Sequence, residues 1–165
     1  MQFVEEFRVI PEFPRYSVSN YGRVRNERTG RIMAESPNQF GDFSVGLTDG
    51  HGQFRRSVRL LVARAFVEGE DSKFNTAMLL DGNKRNLRAD NIVWRPRWFA
   101  WEYTRQFNSD YTWYESGPII DDYGVEYETV FSAAVTNGEL CVDIYQSLYD
   151  RDRRVFPFGR QYQYM

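Results

Sequence analysis

Asp81, Asn83, Lys84, Asn86 and Asn91 stand within one stretch, AMLLDGNKRNLRADNIVW at 77–94, and are of the types that orient a phosphate or a hard cation. A Mg²⁺ site of the catalytic kind normally takes one or two carboxylates plus substrate oxygens. Asp81 is a lone carboxylate in an Asp-Gly-Asn turn, where an aspartate side chain bonds its own backbone. Asn91 offers only a neutral amide oxygen. Asn83, Lys84 and Asn86 read first as turn residues, although Lys84 and Arg85 remain able to touch a phosphate. Met78 and Leu79, just before the turn, can neither bind such a cation nor accept a proton.

Other sources of chemistry are few. The single Cys141 rules out an intramolecular disulfide and a cysteine-rich zinc site. His51, the sole histidine, sits in the Asp49-Gly50-His51-Gly52 turn, where turn geometry or solvent contact explains it. No metal and no cofactor are expected. With 42% hydrophobic residues and 17% aromatic, the 165-residue chain can bury a core by packing alone. It contains no apolar run long enough to span a bilayer, and its start lacks the features of a signal peptide. The expected setting is a cytoplasm.

The net charge of −2 hides a division: residues 1–107 carry 17 basic and 13 acidic side chains, whereas residues 108–165 carry 4 and 10. All basic residues except Lys73 and Lys84 are arginines. Arginine makes bidentate contacts to phosphate, guanine or carboxylate, and it is also enriched at protein interfaces.

The elements that must position these groups follow from periodicity. Tyr16, Val18 and Val24 around Ser19-Asn20-Tyr21-Gly22 predict a β-hairpin, and Phe43, Val45 and Leu47 with Phe54 to Val58 predict a second. Leu60 to Phe66 predicts a compact core helix, with Arg59 and Arg64 at its edges. Residues 95–107 predict an outer helix. Near the C-terminus, Asn137-Gly138 stops one helix, and Leu140, Ile144 and Leu148 form the inner stripe of the next. The fold class is α+β.

Three segments resemble the modules of HNH homing endonucleases of the ββα-metal type, in that family's order. Phe13, Tyr16, Val18, Ser19, Asn20, Gly22, Val24 and Arg25 match the NUMOD4-type module, roughly F-x-x-Y-x-V-S-N-x-G-x-V-R. VRLLVARAF at 58–66 and the DGNK stretch match the frame of the HNH core. Gly124, Tyr127, Ala133, Ala134, Ile144, Gly159 and Tyr162 resemble a nuclease-associated helix-turn-helix module. The resemblance implies a NUMOD4-like module at 1–40, a degenerate HNH-like core at 41–107, a linker at 108–117 and an acidic helix-turn-helix-like module at 118–165. It also implies that Arg59 occupies the place of a first histidine, Met78 that of a metal ligand and Leu79 that of the general base, with Asn91 retained.

The expectation is therefore a catalytically inactive HNH-derived scaffold, phage-encoded, that binds duplex DNA through residues 1–107. Arg15, Arg23, Arg25, Arg28, Arg31, Lys84 and Arg85 are its DNA-contact candidates, although the same arginines would equally make a solvated face. The alternative is a protein-binding or structural component, a virion protein or host-directed inhibitor. Tyr111, Trp113, Glu139, Asp143, Tyr145, Tyr149 and Phe156 would then be interface residues on the acidic C-terminal part, with Glu139 and Asp143 on the outer face of the second helix. An active nicking endonuclease is the remaining reading. No membrane partner is expected.

Overall fold

Each predicted hairpin forms. In the computed structural model, which describes residues 4–108 and 115–165, β2 (Phe13–Ser19) pairs antiparallel with both β1 (Phe7–Ile10) and β3 (Val24–Asn26). A second three-stranded antiparallel sheet holds β5 (Phe43–Thr48) between β4 (Glu35–Pro37) and β6 (Gln53–Ser57). Helix α1 (Val58–Phe66) follows β6 directly and starts where the Ser57 hydroxyl accepts the Leu60 amide at 3.4 Å, as an N-cap serine does. The pair β7 (Thr76–Leu79) and β8 (Ile92–Arg95) completes this part, with Met78 opposite Val93 and Leu79 opposite Ile92.

The chain divides into two compact units, Met1–Arg97 and Trp98–Met165. In the first, one core runs from Ile10, Phe13 and Val18 through Val45, Leu47 and Val62 to Ile92 and Trp94. The segments expected as separate modules at 1–40 and 41–107 thus share a single interior. Gly22 shows how closely they meet. Its φ is +87°, and a Cβ there would lie 2.8 Å from the Leu87 Cβ, so only glycine fits. Beside it the Ala89 amide donates to the Asn20 carbonyl at 2.8 Å.

Helix α2 (Arg97–Gln106), expected on the outside of the central module, belongs instead with the second unit. Phe99, Ala100 and Tyr103 are buried there, and the Tyr103 hydroxyl reaches the Ala134 carbonyl at 3.4 Å. The rest of that unit is β9 (Ile119–Asp121) between β10 (Glu126–Tyr127) and β11 (Tyr162–Tyr164), with α3 (Val130–Asn137) and α4 (Cys141–Ser147). Thr129 and Ser132 form a reciprocal capping box at the start of α3, and Gly138 in the left-handed region ends it. Among the described residues no helix is long and apolar enough to cross a membrane.

Candidate nucleic-acid interface

The turn between β7 and β8 is a closed hydrogen-bond network. The Asp81 carboxylate accepts the Asn83 amide at 2.9 Å, the Asn86 side-chain amide at 2.7 Å and that of Asn91 at 2.8 Å. Asn91 also donates to the Asn86 carbonyl at 2.9 Å and accepts the Asp81 amide at 3.1 Å. Both polar ends of Asn91 are thereby committed to shaping the turn. Met78 and Leu79, 2% and 6% exposed, are buried in β7. A divalent cation does not fit this donor set, because Met78 and Leu79 offer no oxygen or nitrogen and the one carboxylate already receives three donors. Among the described residues no group of three or more His, Cys, Asp and Glu side chains can hold a metal ion.

Arg59, at the start of α1, pairs with Asp42 at 3.2 Å. The Lys84 amine donates to the Phe40 carbonyl, and the Arg85 guanidinium lies 5.7 Å from the centre of the Phe43 ring. His51 is exposed, its amide bonded to the Asp49 side chain at 2.8 Å.

The predicted DNA-contact arginines separate into two groups. Arg23 is engaged by Glu5 through two hydrogen bonds, and Arg25 donates to Glu27 at 2.9 Å while stacking 3.9 Å from the Phe7 ring centre. Hydrogen bonds from Ser17 and then Arg25 hold the Glu27 carboxyl below its usual range. Arg15, Arg28 and Arg31 are exposed, and no carboxylate pairs with them among the described residues.

The structure adds a face that the sequence reading passed over. In β5, Val45 and Leu47 point into the core, so Ser44 and Gly46 point outward; across the ladder Gly46 opposes Arg55 and Thr48 opposes Gln53. Arg55 donates to Ser44 at 3.2 and 3.0 Å and also to Ser36, and no carboxylate faces it among the described residues. Arg31 and Arg55, with Asn26, Ser36 and Gln53, line a groove of about 420 Å³. The signal was the strict alternation at 43–48, which marked the core side and by subtraction this polar side.

The C-terminal expectations need correction. Glu139 is fully buried and precedes α4 instead of lining its outer face. It accepts the Tyr162 hydroxyl at 2.5 Å and pairs with Arg160 at 3.6 Å. Asp121 also pairs with Arg160, at 2.6 Å, Asp122 with Arg154 at 3.2 Å, and Asp143 with Arg153 at 2.8 Å. Glu139 and Asp143, expected as interface residues, thus meet arginines of their own unit, as Asp121 and Asp122 do. Burial opposes ionisation of Asp121, but the Val125 amide, the Tyr127 hydroxyl, the Tyr123 amide and Arg160 outweigh it and hold this carboxyl below its ordinary value.

Phe156 packs 5.2 Å from Phe99 and 5.8 Å from Trp98, centre to centre, so it serves the unit's own packing. Tyr145 and Tyr149 are exposed as expected, and their hydroxyls join Tyr164 in a chain with 3.3 Å spacings. Tyr111 and Trp113 lie outside the described residues.

Comparison with known proteins agrees with this architecture. Residues 5–48 match the NUMOD4 motif. Two uncharacterized HNH endonucleases of Acanthamoeba polyphaga mimivirus are 33% identical over 91 residues and 36% identical over 88, covering 55% and 52% of this chain. The chain spans only 27% and 22% of those relatives' lengths. A solved structure on DNA binding and cleavage by the HNH homing endonuclease I-HmuI superposes with a TM-score of 0.58 at 23% identity, covering 97% of this chain and 98% of that one. The chain shares the α+β fold of that enzyme, and its residues 5–48 carry the NUMOD4 motif.

Proposed function

We propose that this protein is a catalytically silent HNH-type scaffold of viral source that binds duplex DNA through its first unit. The observation that carries the reading is the pairing of two features in one unit. Apolar, buried Met78 and Leu79 stand where the HNH resemblance requires a metal ligand and a base, while Arg15, Arg28, Arg31 and Arg55 face solvent without a carboxylate among the described residues. A general base alone contributes about 10²–10⁴ in rate, so losing it together with a ligand removes the chemistry. The exposed arginines retain the electrostatic, sequence-independent part of DNA binding. The NUMOD4 motif, the mimivirus relatives and the likeness to a DNA-cleaving homing endonuclease support the DNA partner and the viral source.

Supercoiled plasmid incubated with the purified protein in Mg²⁺ or Mn²⁺ tests the first half. We expect no nicked product, and nicking that disappears in Asn91→Ala would overturn it. Titration of a labelled duplex at several salt concentrations tests the second half. The expected result is affinity that falls steeply with salt; no binding at low salt would refute it.

A second reading, a protein-binding component, rests on the exposed, hydroxyl-linked Tyr145, Tyr149 and Tyr164. Tyrosine is enriched among residues that dominate binding energy.

A further inference from the structure

Three tyrosines of the second unit meet at their hydroxyls. The Tyr149 oxygen lies 3.3 Å from that of Tyr145 and 3.3 Å from that of Tyr164, and its ring centre stands 5.2 and 6.2 Å from theirs. Tyr145 belongs to α4, Tyr149 follows the end of that helix, and Tyr164 closes β11. All three face solvent, at 38%, 68% and 44% exposure, so a diffusing oxidant can reach each ring. A second close pair, Tyr127 and Tyr162, has ring centres 6.1 Å apart but differs on both counts. Its rings are buried, and the Asn137 amide bridges its hydroxyls.

Loss of one electron and one proton turns a phenol into a phenoxyl radical, whose unpaired electron is shared between the oxygen and the ring carbons ortho and para to it. The para carbon carries the side chain, so carbon–carbon coupling takes the ortho positions. In the coupled product the two oxygens flank the new bond within hydrogen-bonding reach of each other, an arrangement that a 3.3 Å separation already approaches. We infer that Tyr149 and Tyr164 form a modification site, at which a one-electron oxidant such as peroxide-activated haem joins the two rings as dityrosine, with Tyr145 as the competing partner. Each ring gives up one electron and one proton, which reduce the peroxide to water. The two radicals form one ortho–ortho bond, and the ring hydrogens displaced there move through solvent to the oxygens and restore both phenols. Tyr149 lies beyond the last turn of α4 and Tyr164 in an edge strand, so both rings are free to turn toward each other. Their bond fastens the end of α4 to β11 across a separation of fifteen residues, and it restricts the unfolded chain as a disulfide does. A bond from Tyr145 to Tyr149 spans a single helical turn and closes too short a loop to have that effect.

The test oxidises the full chain, at low concentration, with a haem peroxidase and hydrogen peroxide. Dityrosine is then detected by its fluorescence and located by fragmentation mass spectrometry of the digested monomer. The expected product is a monomer lacking two hydrogen atoms, with Tyr149 bonded to Tyr164 and the unfolding temperature raised by several degrees. Tyr149→Phe and Tyr164→Phe should each abolish that bond, whereas Tyr145→Phe should retain it. Phenylalanine keeps the ring and removes only an exposed hydroxyl, so before oxidation the three variants should unfold at the temperature of the parent. A bond confined to Tyr145 and Tyr149, dityrosine found in crosslinked dimers alone, coupling through other tyrosines, or no dityrosine at all would each overturn the inference. An equal rise in unfolding temperature in oxidised Tyr164→Phe would overturn it too, since the stabilisation would then come from elsewhere.

Discussion

Asp81 and Asn91 bind one another twice, side-chain amide to carboxylate at 2.8 Å and backbone amide to side-chain oxygen at 3.1 Å. In this pair Asn91 acts as a strut of the β7–β8 turn. Its replacement by alanine should therefore show first in stability. Removing a buried partner of several hydrogen bonds costs about 1–3 kcal/mol. Denaturant unfolding of Asn91→Ala should report a loss of that size with an unchanged m-value. A variant as stable as the parent would show that the turn closes without this side chain.

DNA affinity should reside in the arginines that lack carboxylate partners. Arg31→Ala with Arg55→Ala is expected to weaken binding across all sequences and to reduce the salt slope by about one for each lost phosphate contact. Arg23→Ala with Arg25→Ala should do less, because Glu5 and Glu27 already engage those side chains. If the second pair proves the more damaging, the DNA path lies over β1–β3 and not over the β4–β6 face.

Acid should loosen the second unit through Asp121. Its folded pKa lies below the unfolded value of about 3.9. The stabilisation is therefore present above that value and disappears as pH falls through the folded pKa. Thermal unfolding followed from pH 6 down to pH 2 should show a decline that Asp121→Asn largely removes. A decline of equal depth in that variant would assign the acid sensitivity to other carboxylates.

Cys141 should be chemically silent while the unit is folded. Burial pushes its thiol up to about 12, so the nucleophilic thiolate is nearly absent at pH 8. Iodoacetamide should label it only after addition of denaturant. Labelling at the rate of a free thiol in the native protein would mean that α4 opens readily.

The alternation at 43–47 predicted its sheet well, because a half-buried antiparallel strand writes its core side into every second residue; in β2 the Ser19-to-Gly22 turn was the clearer signal, since Ser17 and Ser19 are buried beside Tyr16 and Val18. Gly138 likewise announced the end of α3, since a left-handed residue has few alternatives to glycine. Glu139 illustrates what was hidden. A glutamate beside a helix reads as exposed, and its burial depends on Tyr162 and Arg160, which lie far along the chain. The internal pairing of Asp121, Asp122 and Asp143 was hidden for the same reason: net charge reports a surplus but not which arginines are within reach. Helix α2 was predicted, but the unit to which it belongs was not, because Phe99 and Tyr103 show an apolar side without naming the surface that covers it.

Gly22 seated on Leu87, with the Asn20 carbonyl closing on the Ala89 amide, bears on how such a gene can be rearranged. A crossover between residues 40 and 41 would separate the two sides of this joint, leaving one fragment with an uncovered Val18 and Val24 and the other with an uncovered Leu87 and Trp94. The smallest inheritable piece that spans this joint and keeps its own interior is therefore residues 1–97. Chimeras joined after Arg97 should express as soluble protein, whereas those joined after residue 40 should be recovered mainly as aggregate.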